Sequence, residues 1–189
     1  MISPCRTAIR AAICAVTLAL ASFGMATTAR ADDDSGPAHK LAVKLGAFFP
    51  TESNFRAAGG DTWWAAGVDY NPGLRYKPLG GTAHIRSDAA LRSNGGVDYN
   101  VWSITGQIIW PLTPKEGTRF WGAFGGGVYF VHTAAVTGLA VPGLKFSFGA
   151  NITQRWFVEA EYDYISGFTD NANIGQRADG VTVTVGVRL

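Results

Sequence analysis

The chain has 189 residues, 16 Lys and Arg against 14 Asp and Glu, 24 glycines, and is 47% hydrophobic but only 16% charged. That length suits one domain, and the near-neutral balance excludes a basic nucleic-acid footprint. Two cysteines and three scattered histidines form neither a disulfide framework nor a metal-ligand spacing, so no cofactor is expected.

Residues 1–31 read as a cleavable signal peptide: Arg6 and Arg10 precede the apolar run 11–25, and Ala29-Arg30-Ala31 supplies a small-x-small cleavage site. The run is shorter than the ~20 residues of a membrane-crossing helix. Both cysteines, Cys5 and Cys14, fall inside residues 1–31, and Ala11-Ala12-Ile13 before Cys14 is not a lipoprotein box. Cleavage would leave 158 residues with 13 basic and 14 acidic side chains, and no thiol. Residues 32–39, opening on Asp32-Asp33-Asp34, read as a short polar tail.

From residue 40 onward the signal is alternation with period two, the mark of a strand with one apolar face. Residues 40–49 set Leu41, Val43, Leu45, Ala47 and Phe49 against Lys40, Lys44, Gly46 and Phe48. Residues 62–70 set Trp64, Ala66, Val68 and Tyr70 against Trp63, Ala65, Gly67 and Asp69, and residues 82–91 set Ala83, Ile85, Ala89 and Leu91 against His84, Arg86 and Asp88. Residues 99–110 place Trp102, Ile104, Ile108 and Trp110 opposite Val101, Ser103, Thr105, Gln107 and Ile109. Residues 119–131 are apolar on both sides; Phe120, Phe124, Val128 and Phe130 are assigned outward. Residues 143–152 and 155–165 oppose Leu144, Phe146, Phe148, Trp156, Val158, Tyr162 and Tyr164 to Lys145, Ser147, Phe157, Glu159, Glu161 and Asp163. The closing stretch 181–189 alternates Val181, Val183, Val185, Val187 and Leu189 with Thr182, Thr184, Gly186 and Arg188.

Turn residues separate these stretches, including Asn71-Pro72-Gly73, Asn94-Gly95-Gly96 and Pro142-Gly143, and no segment has the periodicity of an amphipathic helix. A three-residue loop centred on Thr153 would put Lys145 opposite Glu161, Ser147 opposite Glu159 and Leu144 opposite Tyr162. The mixed face carries small residues suited to the bore of an eight-stranded barrel. On the apolar face, Trp64, Tyr70, Trp102, Trp110, Trp156, Tyr162 and Tyr164 sit toward strand ends; Trp102 and Trp110, eight residues apart, span roughly 26 Å at ~3.3 Å per residue. Two aromatic girdles bounding a lipid-facing band have that form.

The expected fold is all-β: an eight-stranded antiparallel up-and-down transmembrane β-barrel over residues 40–189, preceded by the signal. The export signal, eight alternating segments and C-terminal strand resemble the small bacterial outer-membrane β-barrel proteins, the group of OmpA-, OmpX- and OmpW-type barrels. Such proteins usually end in an aromatic residue read by the assembly machinery, whereas this chain ends in Leu189. The resemblance implies a bacterial outer-membrane location, outer-membrane lipid and the assembly machinery as partners, and a monomer. With the N-terminus in the periplasm, 71–81, 111–118 and 152–154 become periplasmic turns and 50–61, 92–98, 132–142 and 166–180 external loops.

Five cations, Lys40, Lys44, Arg86, Lys145 and Arg188, share the mixed face with Asp69, Asp88, Glu159, Glu161 and Asp163. They are expected to form a lumenal charge network, with Lys145–Glu161 as its best-defined pair and Lys44 near Glu159. The leading functional reading is a passive or structural, non-enzymatic barrel with a mostly plugged polar lumen and short surface loops. The alternative is a conduit or binder for small hydrophobic compounds, as OmpW-type barrels are held to be, with Phe48, Trp63, Ile109 and Phe157 lining an apolar lumenal pocket. A third class is a lipid-modifying enzyme. For it, His84, Arg86 and Asp88 share a face without an assignable nucleophile, and His132 lacks the His-x-Ser spacing of lipid A deacylases because Thr133 and Ala134 follow it. The run Gly122-Ala123-Phe124-Gly125-Gly126-Gly127 lacks the Lys-Ser/Thr of a phosphate loop and reads as strand.

Overall fold

The computed structural model describes residues 40–76, 78, 80–113, 119–133, 136, 138–169 and 175–189; the signal expected at 1–31 and the tail at 32–39 lie outside the described residues. Eight long strands dominate: β1 (Leu41–Pro50), β2 (Trp63–Tyr70), β4 (Gly81–Asn94), β5 (Val97–Pro111), β6 (Arg119–His132), β7 (Leu139–Asn151), β8 (Trp156–Ile165) and β11 (Gly180–Arg188). Between them lie a short helix α1 (Ser53–Gly59) and three two-residue strands, β3 (Arg75–Tyr76), β9 (Phe168–Thr169) and β10 (Gly175–Gln176). Each long strand pairs antiparallel with its neighbours in the chain, and β1 pairs with β11 from Ala42–Arg188 to Pro50–Gly180, so the sheet closes into an eight-stranded barrel.

The period-two pattern sets the faces. Trp64 is 79% exposed and its neighbour Trp63 1%; Leu45 is 70% exposed and Lys44 2%. Apolar side chains radiate outward, where Trp102 stacks on Phe130 and Phe120 on Phe148, and the mixed face turns inward. The aromatics expected to form girdles all lie on the outer face: Trp64, Tyr70, Trp102, Trp156, Tyr162 and Tyr164 exposed, Trp110 half-buried.

Three local features depart from expectation. The loop expected at 92–98 contracts to Gly95 and Gly96, both at positive φ (60° and 79°), the conformation a two-residue hairpin turn demands. The loop expected at 132–142 is shortened because β7 begins at Leu139. At the β7–β8 hairpin the loop is centred on Gln154: Ile152 N–H donates to Trp156 O across it, and the Thr153 hydroxyl accepts from the backbone N–H of Arg155 and Trp156. Lys145 therefore faces Asp163, Ser147 faces Glu161 and Leu144 faces Tyr164, two residues beyond the expected register. Faces are unchanged, since a shift of two keeps the parity.

That register is testable. With Cys5 and Cys14 replaced, a Leu144→Cys/Tyr164→Cys chain should form an intrachain disulfide on mild oxidation, and Leu144→Cys/Tyr162→Cys should not, as read by mass spectrometry.

Candidate functional site

The bore is divided into three levels, defined by which residues each strand turns inward. At one end, where α1 sits, an apolar cap is built from Phe48, Phe55, Trp63, Tyr99, Val131, Val141 and Ile165. Trp63 is its centre: Phe55 packs at 5.0 Å, Phe48 edge-on at 5.5 Å and Tyr99 at 6.0 Å between ring centroids, and the indole N–H donates to Gly60 O at 3.0 Å. The helix delivers Phe55, which is 1% exposed. It begins where the Glu52 side chain accepts from Asn54 N–H, and at seven residues it is too short to leave a periodic signature.

Below the cap lies the ion layer. Lys44 Nζ contacts Asp88 Oδ1 at 3.0 Å, Glu159 Oε2 at 3.3 Å and Glu161 Oε1. Arg86 reaches Asp69 Oδ2 at 3.0 Å, Glu159 Oε1 at 2.5 Å and Glu161 Oε1 at 2.9 Å. Lys145 Nζ reaches Asp88 Oδ2 at 2.7 Å, Glu161 Oε2 at 3.1 Å and Asp163 Oδ1 at 3.2 Å. Tyr129 donates to Asp163 at 2.7 Å, tying the layer to the cap. The sequence places the ions in one layer by holding small residues between them. Lys44, Gly67 and Asp88 stand in one row across β1, β2 and β4. A Cβ on Gly67 would collide with Asp88 Oδ1 and lie 2.8 Å from Lys44 Cε, so a side chain here would push that pair aside.

Seven of the eight residues expected in the charge network, Lys44, Arg86, Asp88, Lys145, Glu159, Glu161 and Asp163, are thus brought together, with Asp69 joining through Arg86. Arg188 is not: it stands nearer the other mouth, donating to Asn151 Oδ1 at 2.7 Å and lying 4.9 Å over the Phe157 ring. Lys40 is exposed at the rim. The expected balance of five cations against five carboxylates is therefore three against five within the buried layer, because β1 and β11 carry Lys40 and Arg188 to their ends. His84, Arg86 and Asp88 do not pair with one another; His84 Nδ1 lies 2.6 Å from Asp69 and its Nε2 3.1 Å from Thr82 Oγ1.

The four residues expected to line one apolar pocket divide between two levels. Phe48 and Trp63 are spent in the cap, whereas Ile109 and Phe157 pack with Trp121 beyond the ion layer. Here, at the basal end where β1 begins and β11 finishes, a cavity of about 280 Å³ is lined by Lys40, Leu41, Asp69, His84, Arg86, Ile109, Arg119, Trp121, Phe157 and Arg188 among others. Trp121 and Tyr129 carry no assignment from the sequence because β6 is apolar on both faces; Gly149 and Gly143 on the neighbouring β7 leave inward room for the two rings. Among the described residues no group of acidic, histidine or cysteine side chains is arranged to hold a metal ion.

Breaking the layer should be costly, since a buried ion that loses its partner keeps its desolvation penalty. Lys145→Met, which leaves Asp163 without its cation, is expected to lower stability by about 3–5 kcal/mol, and Gly67→Ala by about 1–3 kcal/mol through overpacking, both measured by urea unfolding of the refolded barrel.

No family model matches the chain. It is 25% identical over 163 residues to Outer membrane protein A of Yersinia pseudotuberculosis serotype I (strain IP32953), covering 82% of this chain and 42% of that protein. The chain thus matches less than half the length of that relative. That weak homology and the closed eight-stranded antiparallel barrel together fit a small outer-membrane barrel of the OmpA type, located in the bacterial outer membrane.

Proposed function

We propose that residues 1–31 are removed on export and that the barrel spans the outer membrane as a passive, structural, non-enzymatic envelope protein with a plugged lumen. The carrying observation is the inversion of the two faces: a barrel exterior of exposed Leu, Val, Phe and Trp around a bore whose lysines and glutamates are 1–2% exposed. In hydrocarbon every backbone polar group needs an internal partner, which strand closure supplies. The aromatic residues at two levels suit the two lipid interfaces, and α1 with the 95–96 turn would face outside on short loops. Outer-membrane lipid and the assembly machinery are the partners this reading requires, with a monomer as the working unit.

The plug has two parts, the Trp63 cap and the ion layer. In a planar bilayer the wild-type barrel should show no sizeable open pore. Lys145→Ala removes the cation bridging Asp88, Glu161 and Asp163 and should introduce conductance when combined with Trp63→Ala, which opens the cap; a large wild-type pore would refute the plugged reading.

A second reading, a binder of small hydrophobic compounds, draws support from the basal cavity, where Ile109 and Phe157 remain on the wall.

A further inference from the structure

We propose that the basal cavity is a binding site for small organic anions, carboxylates with an apolar aromatic or aliphatic body. Among the described residues its wall carries the cations Lys40, Arg86, Arg119 and Arg188 and one carboxylate, Asp69, with Arg86 already held by the ion layer. Asp69 is already engaged from two sides, by Arg86 Nε at 3.0 Å and His84 Nδ1 at 2.6 Å. Asp69 is therefore paired within the wall.

Arg188 is the centre of the site. Its guanidinium is oriented by Asn151 Oδ1 at 2.7 Å, by Gln154 O at 3.4 Å and by the Phe157 ring beneath it. These bonds engage two of its five N–H donors, and among the described residues no carboxylate forms an ion pair with it or with Lys40. A guanidinium fork fixed on an aromatic face with donors to spare is the side chain that recognises a carboxylate by paired hydrogen bonds.

A second, independent group points the same way. Trp121 is 7% exposed and lines the cavity, and its indole N–H, buried, has no hydrogen-bond partner among the described residues. An indole nitrogen is a donor only, so the group that satisfies it must be an acceptor. A buried donor left unmade is costly, and an anionic oxygen is the strongest acceptor available. Ile109 and Phe157 supply the apolar wall for the ligand's body. The volume, about 280 Å³, is at the small end of ligand pockets, which run from roughly 300 to 1,000 Å³.

The proposal rests on the second reading above for its apolar wall, and adds the charge. The test is equilibrium dialysis of 2-naphthoate and of neutral 2-naphthylmethanol against the full barrel refolded in a non-ionic detergent, with micelles alone as the blank. Saturable naphthoate binding is expected, at least tenfold tighter than the alcohol, weakened about tenfold or more by Arg188→Gln and several-fold by Trp121→Phe. Each variant is first checked for the heat-modifiable gel mobility of a closed barrel, and either one suffices if the other does not fold. Equal binding of acid and alcohol would overturn the anion site while leaving a hydrophobic binder standing. Binding of neither would remove both, and naphthoate binding indifferent to either substitution would place the anion elsewhere and overturn the assignment.

Discussion

The seam between β1 and β11 is the constraint on which the rest depends. A sheet left open exposes a row of unpaired N–H and C=O groups, and the pairing from Ala42–Arg188 to Pro50–Gly180 removes it. The same closure organises the bore. Lys44 on β1 reaches Glu159 and Glu161 on β8 only because β11, lying between, turns Thr182, Thr184 and Gly186 inward and leaves the path clear. Backbone pairing and charge pairing are thus one arrangement: the ladder brings the ions face to face, and the ions reject a ladder that would separate them.

Buried ion pairs are poor sources of net stability, because desolvation offsets most of the attraction. What they can supply is a preference among registers. A two-residue slip of β7 against β8 would keep every apolar side chain outward, so hydrophobic patterning alone does not forbid it. The slip would, however, move Lys145 from its place opposite Asp163, and with it the bridge from Asp163 to Asp88 that spans the lumen. Tyr129 adds a second lock, since its hydroxyl donates to Asp163 from the cap side. The Thr153 side chain fixes the turn from the outside of the same hairpin.

The strands and their faces were legible because period two is a local property, readable from Val181 to Leu189 or from Trp156 to Tyr164 without any partner. Which carboxylate meets which cation was legible only in outline. Lys145 does contact Glu161, but diagonally, and the pair directly opposite is Asp163, because the turn is centred one residue later, on Gln154, which moves the register by two. Depth along the bore was harder still. Phe48 and Phe157 look alike on the inward face, yet one belongs to the cap and the other to the basal wall, a distinction set by stagger around the whole barrel. Helix α1 left no signal because seven residues contain too few turns to show a face; Phe55 near Trp63 in the chain was its one trace.

The three levels of the bore make the barrel unequal end to end: dry aromatic packing under α1, charges in the middle, a lined hollow at the base. A recess with a single doorway exchanges its contents but does not ferry them. With the lumen plugged as proposed, occupancy of such a hollow would follow the solution on the side of that doorway alone.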